Sequence, residues 1–246
     1  MRVVRFYEAD AWGDRVHPGG VVLTERLAQL AGVKQSSIVL DVASGKGASA
    51  LFLARNFRCT VLGIDFSREM VEQAKRSTAA GGESNRVAFL IGEAEMLPLS
   101  TCSFDTVLIE CSFSLIKDKG RAANEFWRVL YKGGCICIAD FYLGTNSLFA
   151  DVQSGFFPCP NGAGTEKDYR ALLSNSGFRD VYFEDQTDKL REFFVELIFN
   201  FCSIGNFQDG FPPDFYQDGC HAGAHASLKK AFRDGALRYC IIHATK

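Results

Sequence analysis

From residue 38 onward the chain alternates short apolar runs with segments of helical period, and no other feature of the sequence restricts its fold so strongly. Ile38–Val42, Thr60–Asp65, Val87–Ile91, Phe104–Glu110 and Gly134–Asp140 read as strands. Between them, Ala48–Arg55, Ser67–Thr78 and Gly120–Leu130 read as helices. The last of these carries Ala123, Phe126, Trp127 and Leu130 at the spacing of one helical face. Ser67 is placed to cap its helix by accepting from a free N–H of the first turn. Strands apolar on both faces must be covered on both sides, and parallel neighbours are joined by right-handed crossovers. An α/β fold with a doubly wound, mostly parallel sheet is the expectation.

After Asp140 the pattern loosens. Gly144, Gly155, Pro158, Pro160, Gly162 and Gly164 mark a loop across 144–165. A helix over Glu166–Ser176, stopped by Gly177 as a C′ glycine, leads to a strand over Phe178–Glu184. A helix over Lys189–Cys202, a Gly/Pro loop over Gly205–Gly219 and a helix over His225–Arg233 precede a last strand, Ala236–His243. The stretch 188–235 therefore reads as an insertion before that strand. Its Phe193, Phe194, Phe199 and Phe201 suit either core packing or the roof of a pocket. Residues 1–37, with Gly19-Gly20 and a helix over Thr24–Ala31, are expected to lie across the C-terminal edge of the sheet, where open α/β sheets bind ligands. The 246 residues read as one domain: a lid segment (1–37), a ligand-binding core (38–141) and a second half (142–246).

A formal net charge of −2 argues against nucleic acid or an anionic membrane as a partner. No apolar run has the length of a membrane span, and none follows Arg2 and Arg5 as a leader would, so the cytoplasm is the expected compartment. The nine cysteines are odd in number and include no Cys-x-x-Cys pair. Cys59, Cys135, Cys137 and Cys240 are expected to be small buried apolar residues on strands, and no metal site is expected from these spacings. Cys111, Cys159 and Cys220 fall in expected loops.

The segment Asp41-Val42-Ala43-Ser44-Gly45-Lys46-Gly47 leaves a strand and opens a helix. Glycines there let a ligand approach the backbone, and the helix N-terminus favours an anionic group. Such a turn also suits a dinucleotide, or no ligand at all. Asp41 separates these readings, because an anion at the strand end suits an ammonium group, whereas nicotinamide binders usually carry an apolar residue there. Asp65, ending the second strand, can take ribose hydroxyls in either case. After the third strand, Glu93 can accept from an adenine amino group while the next backbone N–H donates to the ring.

Five blocks in register carry a resemblance: Leu40–Gly47, Gly63–Ser67, Gly92–Pro98, Ser103–Val107 and Arg128–Gly134. Together they resemble the class I S-adenosylmethionine-dependent methyltransferases, and within them the branch of quinone-biosynthesis and arsenite methyltransferases. The resemblance implies a seven-stranded sheet with an antiparallel last strand and a transferase using S-adenosylmethionine, with S-adenosylhomocysteine as product. It assigns Asp41 to the methionine ammonium, Gly45 and Gly47, with Ala43, to close backbone approach, Asp65 to ribose, and Glu93 and Ala94 to adenine. Phe66 and Met70 would pack on the adenine ring, and Glu110 and Cys111 would sit beside the sulfonium. Two departures stand out: Ala43 replaces the usual first glycine, and Lys46, expected to point outward, stands where a small residue is common.

Methyl transfer to an acceptor needs positioning and exclusion of water, and a base only where the nucleophile carries a proton. A small-molecule acceptor is the expectation. Asp140 is the candidate base, and His17 and Tyr7 in the lid are candidate pocket residues. His221 and His225, four apart without a third ligand, read as surface residues. The stretch Pro158–Ala163 resembles the arsenite enzymes, which implies an alternative in which Cys159, with Cys220 or Cys202, binds a trivalent metalloid. The cysteine those enzymes carry just after the glycine motif is missing, with Ala50 near its place. A second alternative is a cofactor-binding accessory protein, motivated by Phe207, Phe211, Phe215 and Tyr216.

Overall fold

The apolar runs pair where their patterning places them. In the computed structural model, which describes residues 17–82, 85–144, 162–202 and 234–246 (backbone only for 197–202), β1 (Ile38–Val42) pairs in parallel with β2 (Thr60–Asp65) and with β4 (Phe104–Glu110). Outward from these, β3 (Val87–Ile91) joins β2, and β5 (Leu130–Leu143) joins β4, both in parallel. The last strand, β7 (Leu237–Thr245), inserts antiparallel between β5 and β6 (Arg179–Asp185). The resulting order is β3-β2-β1-β4-β5-β7-β6. The chain reverses its direction of strand addition between β1 and β4, and the crevice at such a reversal is where open sheets hold ligands.

Helices cover both faces. On one side α1 (Gly20–Leu30), α2 (Ala48–Phe57), α3 (Arg68–Gly81) and the first turns of α6 (Thr187–Cys202) bury Leu27, Leu53, Val71 and Leu190. On the other, α4 (Lys119–Val129) and α5 (Glu166–Asn175) bury Phe126, Val129, Tyr169 and Leu173. Local chemistry sets the helix ends. Ser67 caps α3 by accepting from the Met70 N–H at 3.3 Å, and Thr165 with Asp168 forms a reciprocal capping box on α5. Gly177, at φ +95°, takes the left-handed step after α5.

Two expectations need correction. The N-terminal helix starts at Gly20 rather than Thr24 and lies along a sheet face as well as at its edge. Its Leu23, Leu27 and Ala28 are buried, and the Leu27 carbonyl receives the Cys137 thiol at 3.6 Å. The strand expected over Gly134–Asp140 runs from Leu130 to Leu143, because antiparallel pairing with β7 extends through Tyr142 and Leu143. The helix expected over His225–Arg233 and the loop over Gly205–Gly219 lie outside the described residues. Among the described residues, no helix is long and apolar enough to cross a membrane.

Candidate functional site

The C-terminal ends of β1, β2 and β4 and the loop after β3 surround one cavity of about 420 Å³. The glycine turn forms its floor. Ala43, Gly45 and Gly47 all take left-handed backbone, at φ +57°, +52° and +83°. At Gly47 glycine is obligatory on two counts, since a Cβ there would also stand 2.5 Å from the Phe89 ring. Ala43, the departure from the usual glycine, meets the same backbone demand with a side chain and so carries strain. Lys46 is half-buried and is among the residues around the cavity.

Asp65 ties this turn to the next helix. One carboxylate oxygen accepts from the Gly45 N–H and the other from the Ser67 N–H, each at 2.9 Å. Burial raises its pKa, and these two backbone hydrogen bonds pull it back. Asp41 is placed differently. It is 3% exposed, it lines the cavity, and its Oδ2 has no hydrogen-bond partner; neither does the neighbouring Ser44 Oγ. Burial, then the nearby Glu110 and Asp65 carboxylates, push the Asp41 pKa well above the usual carboxylate range, against a backbone hydrogen bond from Ala50. A buried carboxylate oxygen left unpaired is costly, and a cation in the cavity would complete it.

Glu110, at the end of β4, gathers three elements. Thr24 of α1 donates to it at 3.0 Å, Ser49 of α2 donates to its Oε2, and His17 Nε2 lies 3.6 Å from the same oxygen. Cys111 follows at φ +53°, buried, with its N–H on the Ala139 carbonyl at 2.7 Å. The wall after β3 is held from behind. The Arg128 guanidinium donates to the Leu99 and Leu97 carbonyls at 2.8 and 3.2 Å and pairs with Glu125, which accepts from the Leu97 N–H at 2.9 Å. Glu93 and Ala94 line the cavity from that loop. Phe66, 62% exposed, and the buried Met70 line it from the start of α3.

All eleven residues that sequence reading grouped around one ligand therefore sit on or beside this cavity, with Gly47 as the buried N-cap of α2 just behind the turn. Asp140 does not line it. Its carboxylate is fully buried and accepts from the Ser114 N–H and Oγ and from the Phe141 N–H, at 2.6, 3.0 and 2.6 Å. Through these bonds it holds the segment after β4 against β5. Cys159, Cys220, His221, His225 and Tyr7 lie outside the described residues, as does the Cys202 side chain. Sequence reading missed Thr24, Ser44 and Ser49. The two serines stand in and just after the glycine turn, which is a usable signal, whereas Thr24 reaches Glu110 across 86 residues and gives none.

Residues 34–177, more than half of the chain, match the model of a methyltransferase domain. The chain belongs to that family. Among its relatives, an O-methyltransferase of Aspergillus nomiae is 30% identical over 194 residues, 74% of this chain and 84% of the relative. A ubiquinone/menaquinone biosynthesis C-methyltransferase of Geobacter sulfurreducens is 29% identical over 172 residues, 61% of this chain and 67% of the relative. This methyltransferase-family chain also shares its fold with phosphoethanolamine N-methyltransferase 2 of Haemonchus contortus, solved in complex with S-adenosyl-L-methionine. That match has a TM-score of 0.81 at 22% identity and covers 100% of this chain but 57% of the other. The five blocks read from the sequence all fall inside the matched span.

Proposed function

We propose that the chain transfers a methyl group from S-adenosylmethionine to a small-molecule acceptor and releases S-adenosylhomocysteine. The unpartnered Oδ2 of Asp41 carries this reading, because an amino-acid ammonium is the group that an unpaired carboxylate oxygen beside a glycine turn suits best. When bound, S-adenosylmethionine supplies a methyl group already activated by its sulfonium. Asp41, with Ser44, accepts from the ammonium, and the left-handed turn lets backbone N–H groups reach the carboxylate. Asp65 uses the lone pairs left over from its two backbone donors to accept ribose hydroxyls. Phe66, Met70 and Ala94 enclose the adenine, and Glu93 accepts from its amino group. Glu110 and Cys111 line the floor beside the sulfonium, where the carboxylate is pinned by Thr24 and Ser49. His17 and the segment Ser112–Lys117 form the acceptor wall.

The test follows the Asp41 proton. In the free protein Asp41 keeps its proton to an unusually high pH, and an ammonium partner favours the ionised form. Binding of S-adenosylmethionine should therefore release a proton at pH values where the free carboxyl is still protonated, and affinity should weaken as pH falls into that range. Calorimetry in two buffers of different ionisation enthalpy reads that proton directly. Asp41→Asn should lose both the proton release and at least about tenfold in affinity, and Asp65→Ala should lose about tenfold in affinity alone. A parallel thermal-shift titration with S-adenosylhomocysteine and NAD separates the cofactor classes. Ligand at about 100 times its Kd adds roughly 2.7 kcal/mol, or about 5–10 °C for a domain of this size. A shift with NAD and none with the sulfur nucleotides would overturn the proposal.

A further inference from the structure

A second cluster lies under the sheet, away from the cavity. The antiparallel register sets Cys137 of β5 directly across from His243 of β7. Cys135 stands two residues earlier and so projects from the same face as Cys137. Both cysteines are buried and His243 is half-buried. The two Sγ atoms and a ring nitrogen lie within 4.8 Å of one another. None of the three lines the cavity. Cys111 bonds β5 at Ala139, so Cys137 and Cys135 lie two and four residues deeper along the strand, roughly 7–13 Å at 3.3 Å per residue.

We propose that Cys135, Cys137 and His243 bind one soft metal ion of the zinc class and so tie β5 to β7 beneath the sheet. Two thiolates and an imidazole are the donor set that borderline and soft ions prefer, and their charge of −2 neutralises a divalent cation. The contacts that the thiols make to oxygen are long. Cys137 Sγ lies 3.6 Å from the Leu27 carbonyl, and Cys135 Sγ lies 3.7 Å from Thr106 Oγ1. The three donor atoms already lie within 4.8 Å of one another, and a solvent molecule entering beside the half-buried His243 completes four-coordination. A disulfide is the poorer use of this pair, since positions i and i+2 on an extended strand stand about 6.6 Å apart, near the limit for bridging. On metal binding the two S–H bonds break, two protons leave to solvent, and two metal–sulfur bonds and one metal–nitrogen bond form. No oxidation state changes.

The full-length protein, stripped of metal by a chelator under reducing conditions, is titrated with Co²⁺ and then with Zn²⁺. The wild type should take up one Co²⁺ per chain with tetrahedral visible bands and a thiolate charge-transfer band, surrender it to Zn²⁺, and release about two protons per ion. Cys135→Ser and Cys137→Ser should abolish the charge transfer or weaken binding at least about tenfold, and His243→Gln should weaken it and shift the visible bands. Cys102→Ser, at an exposed cysteine outside the cluster, should retain the full signal. Should a serine variant fail to fold, alkylation of the wild type through a urea series with peptide mapping decides, because Zn²⁺ should move the reaction of the buried Cys135 and Cys137 to higher urea. Uptake of less than one ion per chain, signal surviving both serine variants, or alkylation indifferent to Zn²⁺ would each overturn the proposal.

Discussion

At the scale of single residues, the glycine turn sets a backbone demand that two neighbouring positions meet in opposite ways. Gly47 has a left-handed φ and a Phe89 ring where a Cβ would go, whereas Ala43 bears a left-handed φ with its methyl group in place. Gly47→Ala combines left-handed strain with overpacking and should destabilise by about 2–4 kcal/mol in denaturant unfolding. Ala43→Gly removes strain of about 1–2 kcal/mol and adds unfolded-state entropy worth about 0.5–1, so it should be neutral or stabilising by up to about 1 kcal/mol. A clear loss of stability at position 43 would mean that the Ala43 methyl group makes a contact worth more than its strain.

At the scale of elements, stretches of sequence that carry the family resemblance and their neighbours brace one another. Asp105 accepts from the Ile38 N–H at 2.8 Å and so sets the start of β1 against β4. Arg128, in the helix before β5, grips the loop after β3 through two carbonyls, and Glu125 takes that loop's Leu97 N–H. Spacing along the chain shows that these blocks exist; packing shows that the helix before β5 holds the ligand-facing loop. Arg128→Met should cost about 1–3 kcal/mol in stability and weaken S-adenosylmethionine binding, because Glu93 and Ala94 lose their support. Arg128→Lys should recover only part of both, since an ammonium cannot span two carbonyls and a carboxylate as the guanidinium fork does. Unchanged ligand affinity in Arg128→Met would separate the brace from the site.

At the scale of the whole molecule, the depth of the core decides protonation. Asp140 accepts three hydrogen bonds, yet complete burial outweighs them and raises its pKa from 3.8 to about 6. The folded state thus binds a proton more readily than the unfolded chain. Its contribution is fully favourable below about pH 4 and is lost as pH rises through about 6. That rise corresponds to about 3 kcal/mol. Unfolding free energies of wild type and Asp140→Asn should therefore diverge between pH 4 and pH 6, with the wild type losing up to about 3 kcal/mol relative to the variant. Parallel pH profiles would show that Asp140 titrates normally.

How much of this was readable beforehand follows from the range of the forces involved. Most strand and helix positions among the described residues, the glycine turn, the Ser67 cap and the carboxylates Asp41 and Asp65 depend on residues close together in the chain and were legible there, whereas the start of α1 and the length of β5 were not. So was the family, because five blocks must recur in order. The unpaired oxygen of Asp41 was not, since it depends on what the fold leaves beside it. Nor was the role of Glu110, whose partners His17, Thr24 and Ser49 arrive from other elements. Asp140 looked like a base at a strand end, and only packing shows it turned into the core. The Cys135–Cys137–His243 cluster is the plainest case. The cysteines read as small apolar residues because their third partner is 106 positions further along the chain, and a β7 that runs antiparallel beside β5 is what brings it within reach. Local order of residues is enough to specify elements and the turn between them; which polar groups end up facing one another is set by burial and register, and those exist only once the chain has packed.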